Sequence, residues 1–267
     1  MIDVDKLFEN YFRSYLIKNQ GKFSEEQLEN KVGEVYDEFG NSPLKELGGK
    51  SPRAYFSELS DCDLVALLKE CVEKSVSVSD FLCEELERRD GVFDYLVKLV
   101  NANESDELAT YAVNFIRYGK EVEKACPAFA NLLLSGECGD SLAETLTEVL
   151  CEHADEVAQI LVEGFENSSQ KIRAYVTEIF SNASHRNEIF EILKEEFKAN
   201  PKDIALYAGY FAKYGDDRAV EIMNDVISRG GLNYVDYKEL KMAIESLGGE
   251  VIQIKDYSTD PTYKKLH

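Results

Sequence analysis

Four carboxylates, Asp140, Glu144, Glu148 and Glu152, recur at four-residue steps in a chain of 267 residues. On a helix that spacing brings them onto one face, where like charges four apart cost about 0.2–0.5 kcal/mol per pair. No lysine or arginine lies between Lys124 and Lys171 to relieve them, although nine acids do. The helix dipole favours Asp140 at the start and opposes Glu152 near the end. Such a stripe suits docking of a basic peptide or basic protein surface, where electrostatics chiefly raises the rate of encounter. Its simpler use is as a solvated face. A second acidic group, Glu188, Glu191, Glu195 and Glu196, is interleaved with Arg186, Lys194 and Lys198, and ordinary surface pairing accounts for it.

Constellations for catalysis or metal binding are thin. Histidine occurs only at 153, 185 and 267. Cys151-Glu152-His153 holds two zinc donors, but residues two apart on a helix point to different faces. No calcium loop, Walker loop or dinucleotide fingerprint appears. Gly48-Gly49-Lys50-Ser51 ends like a phosphate loop, yet Leu44 stands where its earlier glycine belongs and no strand precedes it. Gly136 and Gly139 fit a short turn, and Asp216-Asp217 a helix start. The expectation is therefore no catalytic residue, no metal and no cofactor. The tyrosines and phenylalanines of the repeats, among 15 and 14 in the whole chain, recur at helical spacing and read as core. A base-stacking platform would also need a cationic groove.

Charge narrows the partners. Thirty basic against 51 acidic residues leave a formal charge of −21. Residues 61–170 alone hold 8 basic and 24 acidic groups, a net of −16, against −3 before them and −2 after. Phosphate binding needs cations, so nucleic acid is not an expected partner, and an anionic membrane surface is disfavoured likewise. No run of 18 apolar residues exists to span a bilayer. The start, MIDVDKLFENYF, is acidic where an export signal is basic, so no export is expected. The six cysteines form no C-x-x-C pair, and Cys71, Cys83 and Cys151 sit among apolar residues. A reduced, cytoplasmic protein is the expectation.

The elements that must carry these residues are helical nearly throughout. The spacing predicts helices over about 4–18 and from Ser24, a capping-box start, to near Gly40. Ser51 then caps a short helix with Pro52 at its first position. After Asp61, helices are predicted at about 62–74, 79–89, 92–101, 106–118, 121–134, 141–152, 155–166, 170–182, 186–198, 203–214, 217–228 and 234–247. Linkers this short make neighbouring helices antiparallel hairpins. The best strand candidate is VIQI at 251–254.

ATYAVNFIRYG at 109–119 and ALYAGYFAKYG at 205–215 share six of eleven residues at fixed offsets. The matches are Ala109/Ala205, Tyr111/Tyr207, Ala112/Ala208, Phe115/Phe211, Tyr118/Tyr214 and Gly119/Gly215. Unit starts at 108, 142, 172 and 204 divide the interval into steps of 34, 30 and 32. Ile204, Tyr207, Phe211 and Tyr214 form a large apolar stripe beside the small residues Ala205, Ala208 and Ala212. Such a helix is buried between flanking repeats, and a lone hairpin cannot bury it. Gly119 and Gly215 stand where left-handed C-caps are wanted, and Asp216 where a following helix is capped.

Helix pairs of this length, joined by YGDDRAV, resemble HEAT and armadillo-like repeats over roughly residues 79–248. The tetratricopeptide alternative expects a tryptophan signature, and the chain has no tryptophan. The resemblance implies an all-α fold, an α-α superhelix: a right-handed solenoid of antiparallel helix pairs. The divisions expected are an N-terminal hairpin and loop over 1–60 capping it, repeats over 61–249, and a polar tail over 250–267. Members of that family are mostly protein-binding scaffolds. The expected function is a non-enzymatic scaffold whose acidic surface, at Asp140, Glu144, Glu148 and Glu152, takes a basic protein or peptide. A small-molecule or accessory role in the solenoid groove is the alternative. A DNA-acting HEAT-type protein of the alkylpurine-glycosylase kind would need a basic concave face, which the charge contradicts. Separately, NSPLKELGGKSPRAYF at 41–56 is similar to the N-x-P-x-x-x-L-G-G-x-[ST]-P loop of Xre/ParS-type antitoxins, where it helps grip a partner. Two glycines and two prolines also suffice to lock a plain turn there.

Overall fold

A computed structural model describes residues 2–266. Among them are sixteen α-helices, two short 3-10 turns and no strand, so the protein is all-α. It divides into two compact units, Met1–Ala125 and Cys126–His267.

The first unit holds α1 (Val4–Lys18), α2 (Glu25–Asn41), α3 (Pro52–Ser57), α4 (Asp61–Glu73), α5 (Asp80–Arg88), α6 (Phe93–Ala102) and α7 (Asp106–Arg117). Their starts are written in short polar side chains. Asp3 accepts the Lys6 N–H at 2.9 Å, Ser24 and Gln27 form a reciprocal capping box, and Ser51 caps α3 ahead of Pro52. Each satisfies backbone donors that a helix start leaves unpaired. The glycine loop after α2 is a tight turn: Gly48 and Gly49 have φ of +67° and +86°, and Leu44 and Lys50 pair across it. Leu47 and Pro52 are buried beneath. Phe8, Tyr36, Phe39 and Phe81 stack into the core, and a Cβ at Gly40 would lie 2.6 Å from the Phe81 ring. The first sixty residues are tied to the helices that follow by Arg89. Its guanidinium donates to the carbonyls of Ser57 and Leu59 at 2.7 Å each, and pairs with Asp61 and Glu85.

The unit boundary falls inside α8 (Val122–Ser135). The second unit continues with α9 (Asp140–Glu152), α10 (Ala154–Phe165), α11 (Gln170–Phe180), α12 (Asn187–Ala199), α13 (Ile204–Tyr214), α14 (Ala219–Arg229), α15 (Tyr234–Ser246) and α16 (Pro261–Leu266). Here α9 packs on α11, α11 on α13 and α13 on α15, so the odd-numbered helices form one row. The even-numbered helices form the other; Gly164 of α10 lets Leu134 of α8 approach to 2.6 Å of where a Cβ would be.

Hydrogen bonds between neighbouring hairpins recur 28 to 31 residues apart. Asp155 accepts the Ser184 N–H at 2.7 Å, 29 residues on. The Tyr214 hydroxyl accepts the Arg186 N–H at 2.7 Å, 28 residues back. Arg218 donates to Asn187 at 2.9 Å, 31 residues back. His185 Nε2 lies 2.6 Å from the Tyr214 carbonyl, which only accepts, so that nitrogen carries the proton. Ile204, Tyr207, Phe211 and Tyr214 are all buried, as their spacing requires.

Three local expectations are corrected. Gly215 is a left-handed C-cap at φ +81°, but Gly119 is not: α7 ends on Tyr118 in a right-handed conformation, and that ring is 79% exposed. Asp216 does not cap α14; its carboxylate instead grips the Arg218 guanidinium and N–H, holding the turn shut. VIQI forms no strand. The Asn224 amide donates to the Glu250 carbonyl and accepts the Ile252 N–H, each at 3.0 Å, so a side chain takes backbone groups that a strand neighbour would have used. Beyond it Tyr257 packs on Tyr234 and Tyr237, and Asp260 starts α16.

Candidate functional site

All four residues of the α9 stripe are exposed, opposite a face on which Leu142, Leu146, Val149 and Leu150 are buried. The helical period alone produces this split, with apolar residues inward and carboxylates outward. Asp140 is the first helical residue rather than the cap, a place taken by Gly139, and it pairs with Lys171 at the start of α11. Glu144, Glu148 and Glu152 extend from there along the helix. The outward face of α11 adds Glu178. Further along the row the outward face of α13 carries Leu206, Gly209 and Lys213, and that of α15 carries Val235, Lys238, Met242 and Glu245.

Cys151 lies half-buried in the last turn of α9. Burial, with Glu178, Glu152 and Glu148 acting in the same direction and Lys213 against them, pushes its thiol up to about 12. It is therefore a neutral thiol near pH 7, unsuited to nucleophilic attack. Tyr210 on α13 is raised above the ordinary tyrosine range by burial first and Glu178 second. His153 stands at the junction of α9 and α10 with its Nδ1 3.9 Å from Glu156. Cys151 joins no set of three converging metal donors among the described residues.

The second acidic group is only partly a matter of surface pairing. Glu191 pairs with Lys194, and Glu195 with Lys198 at 2.8 Å. Glu196 is buried against Asn200 and Arg173. Arg186 reaches back to the Asp155 carbonyl instead of pairing within α12. Glu188, Glu191 and Glu195 line a cleft of about 590 Å³ with Glu163 and Glu166, together with Arg173 and apolar Val162, Phe165 and Ile192. On the opposite flank of α12 a cleft of about 610 Å³ is lined by Lys194, Lys198, Arg229 and Asp225 together with apolar Phe197, Ile204 and Val226. Sequence reasoning missed both clefts. The available signal was the repeat itself: Glu163 and Glu195 are 32 residues apart, the step that separates neighbouring units.

Comparison with protein-family models, with characterised proteins and with solved structures finds no match to this chain. What defines its class is the fold: an all-α protein whose second unit is two rows of helices. No described helix is long and apolar enough to cross a membrane.

Proposed function

We propose that the chain is a non-enzymatic protein-interaction scaffold of the HEAT/armadillo-like kind, its repeats a right-handed solenoid, which takes a basic protein or peptide in the cytoplasm. The links 28 to 31 residues apart and the two rows of helices support the repeat reading. The observation that carries the binding reading is the exposure of Asp140, Glu144, Glu148 and Glu152 on a helix without a lysine or arginine. A face with that potential draws cationic partners at a rate that falls as salt screens it.

The test is titration of a fluorescent lysine-rich peptide into the protein at low and high salt, with the Asp140→Lys, Glu144→Lys, Glu148→Lys, Glu152→Lys variant beside it. Binding at low salt that is weakened by salt and lost in the variant is expected. Binding that the variant leaves intact moves the site to the cleft between α10 and α12, and no binding at low salt ends the reading. A second reading, a small anionic ligand, is favoured by Lys194, Lys198 and Arg229, set against the single acid Asp225, in the lining of the cleft between α12 and α14. It requires an anion to raise the melting temperature of the wild type and not of Arg229→Ala.

A further inference from the structure

The outward face of the odd-numbered row changes character along its length. At α9 and α11 it presents carboxylates, Glu144 and Glu178 among them. At α13 and α15 it presents Leu206 and Met242, each 53% exposed. Leu206, Gly209 and Tyr210 share one side of α13, at offsets of three and four residues. Gly209 is exposed in a helix interior, where glycine is intrinsically unfavourable, and a Cβ there would meet nothing in this chain. Internal packing thus gives no reason for it, whereas a bare backbone lets an incoming helix approach closely. The acidic and apolar parts adjoin: Glu178 acts electrostatically on both Cys151 of α9 and Tyr210 of α13.

Resting on the scaffold reading, the geometry points to one occupant: an amphipathic basic helix laid across the row, cations over α9 and α11, large apolar side chains over Leu206, Gly209 and Met242. An apolar contact beside a charged margin is the anatomy of a specific interface. Lys238, exposed beside the apolar part, repels cations there, Glu245 of the same face being paired with Lys241, and so fixes which end of the helix lies where. Packed helices lie 8–10 Å apart, so the acidic and apolar halves are separated by two spacings, about 16–20 Å, or about 11–13 residues of helix. The partner's cationic and apolar clusters are separated by that length.

The full chain is titrated with three fluorescent peptides of equal length: lysines in one half and leucines in the other, lysines alone, and leucines alone. The mixed peptide binds about tenfold tighter than the lysine-only one, the size of a central apolar anchor. Leu206→Gln with Met242→Gln removes that gain and leaves lysine-only binding and its salt dependence unchanged; both sites are exposed, and the melting temperature checks the fold. Equal affinity for the mixed and lysine-only peptides, or a gain that survives the double variant, overturns this inference and leaves the scaffold reading standing. Leucine-only binding as tight as mixed overturns it too, because the charged half then contributes nothing. Failure of both lysine-bearing peptides to bind removes the scaffold reading and this inference together.

Discussion

Helices α9 and α12 are each 13 residues long, and each carries four acids. In α12, Lys194 and Lys198 stand three residues after Glu191 and Glu195 and close ion pairs along the crest. In α9 no cation is interspersed, and Asp140, its first residue, pairs with Lys171 at the start of α11. Equal acid content therefore makes two different surfaces. On α12 each cation divides the helix, sending acid toward α10 and base toward α14; on α9 the acids stay together and project a single sign. What matters for binding is how charges are interleaved, more than how many there are.

The largest expected effect breaks the comparison directly. Reversing Asp140, Glu144, Glu148 and Glu152 to lysine should weaken a lysine-rich peptide about a hundredfold at low salt, as surface charge pairs of about 0.5–1 kcal/mol accumulate. Reversing Glu188, Glu191 and Glu195 should weaken it less than about tenfold, because Glu191 and Glu195 are already paired with Lys194 and Lys198. Fluorescence anisotropy measures both, and equal losses would erase the distinction.

Smaller effects appear in stability. Glu144→Lys turns two repulsions at four-residue spacing into attractions and should stabilise the protein by about 0.5–1 kcal/mol. Glu195→Lys loses its pair with Lys198 but turns the repulsion from Glu191, four residues before it, into an attraction, so stability should stay within about 0.5 kcal/mol of wild type. Urea unfolding of the pair reads a gain for the first and little change for the second. Acid acts on the paired surface too. The hydrogen bond from Lys198 holds Glu195 below the ordinary glutamate value of 4.5, and Ser184 holds Asp155 below the ordinary aspartate value of 3.8. Both groups bind fewer protons folded than unfolded, so their contribution is complete above those values and is lost as pH falls through the lowered ones. Melting temperature should decline over that acid range, less steeply in Asp155→Asn. The smallest effect sharpens the field of α9. Glu148→Lys removes one of the carboxylates that raise the Cys151 thiol, so alkylation at mildly alkaline pH should quicken a few-fold, less than unfolding does, because burial is the larger cause.

Most of the helices were legible because their signals are local. Val4–Lys18 follows its apolar spacing, Glu25–Asn41 its capping box, and Pro52–Ser57 its Ser-Pro start. Tyr214 and Tyr118 show where legibility stops. They occupy matched places in the repeat, yet one is buried with its hydroxyl on the Arg186 backbone and the other is exposed. Only what each helix packs against separates them. The candidate site divides in the same way. The α9 stripe follows from a four-residue step, whereas the cleft of Glu163, Glu166 and Glu188 joins helices about 30 residues apart in the chain.

By itself the sequence determined the all-α class, the order and limits of most helices and the acidic face of α9. Each depends on periodicity, capping or composition within a few turns of chain. Tertiary structure alone decided the flanks of α12, the apolar patch of Leu206 and Met242, the Asn224 clamp on the tail and the pairing of Asp140 with Lys171. These are contacts and exposures set by which helices lie side by side. Side-chain period tells which face of a helix is apolar, but not what another helix will lay against it or leave in water.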